Sequence, residues 1–301
     1  MANILLLIVC FAAGMILRRT GRFPESTPAA LNGFIIHVSL PAVALLHIHN
    51  LRLDLSLVYT VAMAWLLFGA AWLLFRPAGR LLGLSRETVG ALILVGGLGN
   101  TSFVGLPMIE AFYGKEFLGV GLIADQLGSF LVLSTLGILT ATLHSSGELS
   151  ARQIVRKILY FPPFQALVLA LLLRPVPFHP WAVTVLQKVG DTLTPLALAS
   201  VGFQLQLAHM KGELRPLSLG LCYKLLLAPA LVALLFVALC GAGGKVIQVT
   251  IFEAAMAPMI SAGIIAVDHR LNPPLVSLMI GIGIPLSFLT LTGWWWLLQR
   301  V

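Results

Sequence analysis

The sequence predicts an all-α membrane protein of ten transmembrane helices, built as two inverted five-helix repeats whose fourth and ninth helices are broken and cross. Three observations carry this expectation. Hydrophobic residues make up 59% of the chain and charged residues 10%, against about a quarter charged in soluble domains. Apolar runs long enough to span a bilayer recur along the whole length. Two of these runs are interrupted, one in each half, by Gly96-Gly97-Leu98-Gly99-Asn100-Thr101-Ser102-Phe103-Val104-Gly105-Leu106-Pro107 and by Glu253-Ala254-Ala255-Met256-Ala257-Pro258. Hydrocarbon supplies no water to freed backbone groups, so broken helices at membrane depth occur only where they are buried in protein or line a cavity. Paired breaks of this kind point to a secondary transporter.

Taken in order, the runs fall near 3–17, 27–48, 55–75, 88–112, 117–143, 156–173, 181–206, 216–240, 246–267 and 274–298. A crossing needs about 20 apolar residues, with roughly 17–25 as the working range. The first run is followed by Arg18 and Arg19 and not by a small-residue cleavage site, so it reads as a retained span and not a signal peptide. The connections after spans one, three, five, seven and nine hold twelve Lys and Arg, against five in the other connections and the C-terminus. Cationic loops stay on the cytoplasmic side. Both termini are therefore expected outside, in the periplasm, of a multi-pass protein of the cytoplasmic membrane.

The net charge of +8 is in this reading a topology signal. No basic stripe interleaved with aromatics accompanies it, so no nucleic-acid partner is expected. Cys10, Cys222 and Cys240 lack CxxC or Cys/His spacing, and the histidines lack ligand spacing, so neither metal nor cofactor is implied. Trp294, Trp295 and Trp296 sit at the end of the last span, where an interfacial aromatic belt belongs.

The longest polar connection, 145–153, divides the chain into a first repeat at 1–144, a cytoplasmic linker, and a second repeat at 154–301. An odd number of spans per half forces the halves into opposite orientations. Prolines echo that division: Pro41 and Pro195 are 154 residues apart, and Pro107 and Pro258 are 151 apart.

Asn, Thr and Ser are favoured just before a helix and proline in its first turn, so Asn100, Thr101 and Ser102 are expected to satisfy backbone freed upstream of Pro107. Asn100 lies about 18 Å along a helix from Thr88, close to mid-membrane. The fourth and ninth spans run oppositely, so their unwound points can meet. Each second half-helix then offers the positive end of its dipole, which favours an anionic solute oriented by Asn100 and neighbouring backbone groups.

Five charged residues fall inside the assigned spans away from their ends: Asp125, Lys188, Asp191, Lys224 and Glu253. Each costs about 2.5–3.5 kcal/mol at a helix centre unless paired or facing a cavity. Asp125, beside Gln126, is the first candidate for a protonatable coupling residue, with Lys224 as its candidate partner. Lys188 and Asp191, three residues apart on one helical face, read as a structural ion pair.

The ordered set Leu31-Asn32-x-Phe34 through Leu40-Pro41, Gly99-Asn100-Thr101-x-x-x-Gly105-Leu106-Pro107, and Glu253-Ala254-Ala255-Met256-Ala257-Pro258 resembles the auxin efflux carrier family of bacterial permeases over nearly the whole chain. The resemblance implies a scaffold bundle plus a moving transport bundle that holds the crossing helices, as in plant auxin exporters and bile-acid-type symporters. It also implies a small organic anion as substrate, with malate, malonate and auxin-like acids as the associated chemistry. The substrate set expected around the crossing is Asn100, Thr101, Ser102, Gly105 and Pro107 from the fourth span, with Met256, Pro258 and Ser261 from the ninth. Glu253 is then expected to help hold a cation, as its counterpart region does in bile-acid-type symporters. The coupling ion stays open between proton and sodium, and a homodimer joined through the scaffold is the oligomer such a design favours.

There is no phosphate-binding Gly-x-x-x-x-Gly-Lys motif, so ATP is not the direct energy source. Crossing broken helices also serve cation/proton antiport, and Asp125 or Glu253 would supply its carboxylate. The absence of HExxH, GxSxG and suitably spaced aspartate pairs argues against an intramembrane enzyme. A receptor that binds without transporting is the remaining alternative.

Overall fold

Prolines and glycines decide where these helices stop and where they widen. The computed structural model describes residues 2–145, 151–205 and 213–301. Most of the 145–153 connection, together with His209 and Lys211, lies outside them. The first helix, α1 (Ala2–Arg19), ends with Arg18 and Arg19 in its last turn and is followed by Gly21 at φ +64°. Cations suit the negative end of a helix dipole, and glycine accepts positive φ without a Cβ penalty. The helix α2 (Thr27–His49) contains a widened π-type turn at Ile35–Ser39, directly before Pro41. Proline has no N–H to give and its ring displaces the carbonyl four residues back, so the turn ahead of it opens.

The same coupling recurs twice. Within α5 (Thr101–Phe112) the widened turn Thr101–Gly105 precedes Pro107. Within α11 (Leu214–Leu239) the widened turn Tyr223–Leu227 precedes Pro229. The carbonyl that Pro229 displaces, that of Leu225, accepts from Trp294 Nε1 at 2.9 Å, so an indole compensates for the lost backbone bond.

The remaining helices are α3 (Ser56–Leu81), α4 (86–97), α6 (Lys115–His144), α7 (Ala151–Leu159), α8 (Pro162–Leu172), α9 (Pro180–Gly190), α10 (Leu193–Gln204), α12 (Lys245–Ala254), α13 (Ile260–Asp268) and α14 (Pro273–Leu298). Residue Phe161, before Pro162, is extended at φ −78°, ψ 113°, as a residue preceding proline must be; α7 and α8 consequently meet at 58°. Five helices, α2, α3, α6, α11 and α14, are each long and apolar enough to cross a membrane, and the bent α7–α8 pair makes a sixth if it is one span. Among the described residues there is no strand; the only sheet-like pairing is an isolated antiparallel bridge.

The chain packs into two compact units. Unit 1 comprises Met1–Asp54, Ser102–Leu122 and Val155–Leu205; unit 2 comprises Leu55–Thr101, Ile123–Ile154 and Gln206–Val301. Each draws on both halves of the sequence. In unit 1, α1 and α10 meet backbone to backbone: a Cβ on Gly14 would lie 2.1 Å from Ala199 O, and one on Gly202 would lie 2.1 Å from Phe11 O. Small residues let apolar helices approach this closely and gain dispersion energy over a long seam. Ser200 Oγ donates to Asn32 Oδ1 at 2.6 Å, and the hydroxyls of Ser39 and Thr192 share a hydrogen bond at 2.8 Å. In unit 2, α3 packs against α12 and against the widened turn Ala124–Phe130 of α6. Trp65 Nε1 takes the Leu127 carbonyl of that turn at 3.1 Å, a second indole serving displaced backbone.

Candidate functional site

The fourth apolar run begins at a capped terminus, where Ser85 Oγ accepts from the Thr88 amide at 3.2 Å. Its first part, α4, ends at residue 97, and helix resumes at Thr101. The stop is glycine-driven. A Cβ on Gly97 would lie 3.0 Å from Ala71 Cβ, and one on Gly99 would lie 3.1 Å from Lys224 Nζ. The ninth run stops after Ala254 and resumes at Ile260, because Pro258 cannot donate into a helix.

The two interruptions meet inside unit 2. Asn100 N donates to Ala257 O at 2.8 Å, and Met259 N donates to Leu98 O at 3.2 Å, forming the antiparallel bridge between Gly99 and Pro258. All of this backbone is buried. Unwound chain at depth must find partners for its amides and carbonyls, and here each break supplies the other's. Of the three side chains expected to serve freed backbone, the Thr101 hydroxyl turns elsewhere. Helix resumes at Thr101 with a widened turn, and Pro107 stands in the first turn of the α-helical part that follows, whereas Pro258 lies in the break itself.

Thr101 Oγ1 instead donates to Asp125 Oδ1 at 2.6 Å, and Gln126 Nε2 donates to Asp125 Oδ2 at 2.5 Å. Asp125 and Gln126 stand in the widened turn Ala124–Phe130. Both carboxylate oxygens thus have neutral donors, which stabilises a buried charge. Lys224 stands in the widened turn Tyr223–Leu227 of α11. At 1% exposure, the lysine sends Nζ to the carbonyl of Ala254 at 2.8 Å, the last helical residue before the ninth-run break. The C-terminal end of a helix is where a cation belongs.

Glu253 is equally buried, at 1% exposure, and neither of its carboxyl oxygens has a hydrogen-bond partner. Gln126 Oε1 is also buried without one. Buried polar atoms are overwhelmingly satisfied in native proteins, and Glu253 meets its surroundings through charge, with Asp125 and Lys224 both acting on it. Met256 and Pro258 are buried in the break, and Ser261 is half-buried in the first turn of α13. Pro258 rests on Gly283 of α14, where a Cβ would come within 2.8 Å of the proline ring.

The other residues singled out from the sequence belong to unit 1. Ser102, Gly105 and Pro107 are buried there. The expected Lys188–Asp191 pair does not form. Asp191 caps the end of α9 and binds Lys115 Nζ, which also lies 3.6 Å from Glu110. Among the described residues these are the two ion pairs. The preference has a simple origin: Asp191 lies past the last helical residue, Gly190, and Lys188 remains exposed on the helix flank. Thr194 Oγ1 completes the group by donating to Glu110 Oε2 at 2.7 Å.

Sequence reasoning missed three contributors: the carbonyls of Ala254 and Ala257, the Leu98–Met259 backbone pair, and Gly283 as the seat of Pro258. One signal was present for Lys224. A proline five residues downstream of an intramembrane lysine foretells a widened turn that rotates the lysine off the regular helix face.

Within the unit 2 site, then, stand a buried lysine, a carboxylate held by neutral donors, a carboxyl group without hydrogen bonds whose charge neighbours are those two, and two paired breaks. Such a set can hold a small charged solute and exchange a proton or cation. Comparison with known proteins gives the family. Residues 1–295 match the family model described as "Membrane transport protein". An uncharacterized transporter of Methanothermobacter thermautotrophicus is 26% identical, the alignment covering 97% of this chain and 96% of that protein. Another, from Methanocaldococcus jannaschii, is 23% identical, with 98% and 97% covered. The chain belongs to this family of membrane transport proteins, the auxin efflux carriers and their bacterial relatives whose motifs it carries.

Proposed function

We propose that this protein is a secondary carrier that moves a small organic anion, of the malate or malonate type, across the cytoplasmic membrane by alternating access. In this reading all ten helical segments cross the bilayer in two inverted sets of five, and the anion is held where the two breaks meet. The observation that carries the proposal is Lys224: a fully buried lysine whose hydrogen bond runs to the Ala254 carbonyl, with the buried Glu253 carboxyl group as its charge neighbour. When that carboxyl group takes up a proton, the buried cation is left expensive to keep unless an anion arrives to neutralise it. Asn100 and the adjoining backbone orient that anion, and Glu253 carries the coupling proton. A buried carboxyl group with neither oxygen hydrogen-bonded is costly as a bare anion and far less so once protonated.

The test is counterflow. Purified protein in liposomes loaded with unlabelled malonate is expected to accumulate labelled malonate transiently, and more strongly with the outside acidic. No accumulation for malonate, malate or larger carboxylates alike would refute the anion reading. A second reading, cation/proton antiport, is favoured by the same unpartnered oxygens of Glu253. Currents on supported membranes after a sodium or proton jump, with no organic acid present, would decide for it.

A further inference from the structure

At the far end of α4 from the first break, unit 2 contains a cavity of about 390 Å³, lined by Trp72, Arg76, Arg80, Arg86, Leu143 and His144 among others. Three guanidinium-bearing residues share this cavity, and among the described residues no carboxylate lines it. Among the described residues both ion pairs belong to Lys115, and the exposed Glu87 beside Arg86 offsets at most one of the three positive charges. None of the three takes part in the site at the breaks.

The arginines are brought together by the helix ends. Gly79, in the last turns of α3, also lines the cavity; a Cβ there would fall 2.3 Å from Val89 Cγ2 on α4. Only glycine permits that approach, which sets Arg76 and Arg80 on α3 opposite Arg86 at the start of α4. Two of the heads are also held in place. The Arg76 guanidinium lies 4.1 Å over the Trp72 ring, a cation–π contact. Arg86 Nη2 donates to the carbonyl of Leu143, near the end of α6. Guanidinium forks that are fixed before binding match tetrahedral oxyanions at low entropic cost. Leu84, Val89, Leu143 and the indole give the cavity an apolar wall.

We propose that this cavity is a binding site for a phosphate group, on the face of the membrane that carries the cationic loops. The phosphate belongs either to the headgroup of an anionic phospholipid, its glycerol and chains lying along the apolar wall, or to a soluble phosphate. Basic pockets between transmembrane helices on the cytoplasmic side are suited to such headgroups.

The experiment uses the full-length protein in detergent, with two probes: cardiolipin compared with phosphatidylcholine by native mass spectrometry, and labelled inorganic phosphate by equilibrium binding. Cardiolipin is expected to stay bound in preference to phosphatidylcholine. The preference should fall about fivefold for each arginine removed in Arg76→Gln, Arg80→Gln and the double variant; Arg86, which anchors the end of α6, is left in place. Malonate counterflow by each variant reports that the fold survives. If millimolar phosphate leaves the cardiolipin adduct intact, the source is the lipid. If labelled phosphate binds and displaces cardiolipin, the source is soluble. Equal retention of both lipids with no phosphate binding, or binding unchanged in a counterflow-competent double variant, would overturn the proposal.

Discussion

Replacing Lys224 by methionine is expected to abolish malonate counterflow and weaken malonate binding by about a hundredfold or more, the usual cost of removing one partner of a desolvated charge pair. The fold should survive. Methionine nearly matches the aliphatic length of lysine, and the carboxyl group left behind at Glu253 escapes the cost of a lone buried charge by taking up a proton. The melting temperature without ligand should therefore hold or rise while the shift induced by malonate disappears. A merely structural lysine, bound to the Ala254 carbonyl to hold the break together, would behave oppositely: melting would fall and residual binding would keep its affinity. The two readouts separate the roles without reference to transport rate alone.

The second large effect is expected at Glu253. Glutamine copies the shape of the protonated carboxyl group but can neither release nor accept the coupling proton. Glu253→Gln should thus retain malonate exchange between equal solutions, while losing uptake driven by an inwardly directed proton gradient. The dependence of exchange on external pH should flatten over the same range. Asp125→Asn is a useful contrast, because Asp125 already accepts from Thr101 and Gln126; an amide there turns one accepting oxygen into a donor facing other donors. That variant should lose stability first. Gradient-driven uptake that persists in a well-folded Glu253→Gln carrier would remove the proton from this residue.

The helical segments and the two breaks were legible in the sequence because their signals are local. A glycine-rich run ending in Pro107, and a proline in the middle of an apolar run at Pro258, interrupt helical hydrogen bonding wherever they occur. What the breaks do with their freed backbone was not legible. The Leu98–Met259 and Asn100–Ala257 bonds join residues more than half the chain apart, and no propensity reports on such pairing. Side-chain partners failed in the same way. Lys188–Asp191 is the pair that helical spacing suggests, yet Asp191 sits beyond the end of α9 and meets Lys115 from a distant segment. Lys224 and Asp125 look complementary on paper. Their hydrogen bonds in the fold run to groups that this complementarity does not reveal, a carbonyl at a helix end and two neutral donors. Nor does the order of spans reveal that each compact unit draws on both halves of the chain. Helices that are apolar nearly all round give no periodic stripe from which to read their neighbours.

A bromine-labelled dicarboxylate bound to the purified protein tests the central claim most directly, because its anomalous scattering marks one atom without reliance on a fitted ligand. The peak is expected beside Lys224, next to the paired backbone of Gly99 and Pro258, and it should vanish in the Lys224→Met variant. A peak in the arginine-lined cavity alone, or one near the breaks that survives loss of the lysine, would contradict the assignment of that meeting point as the anion site.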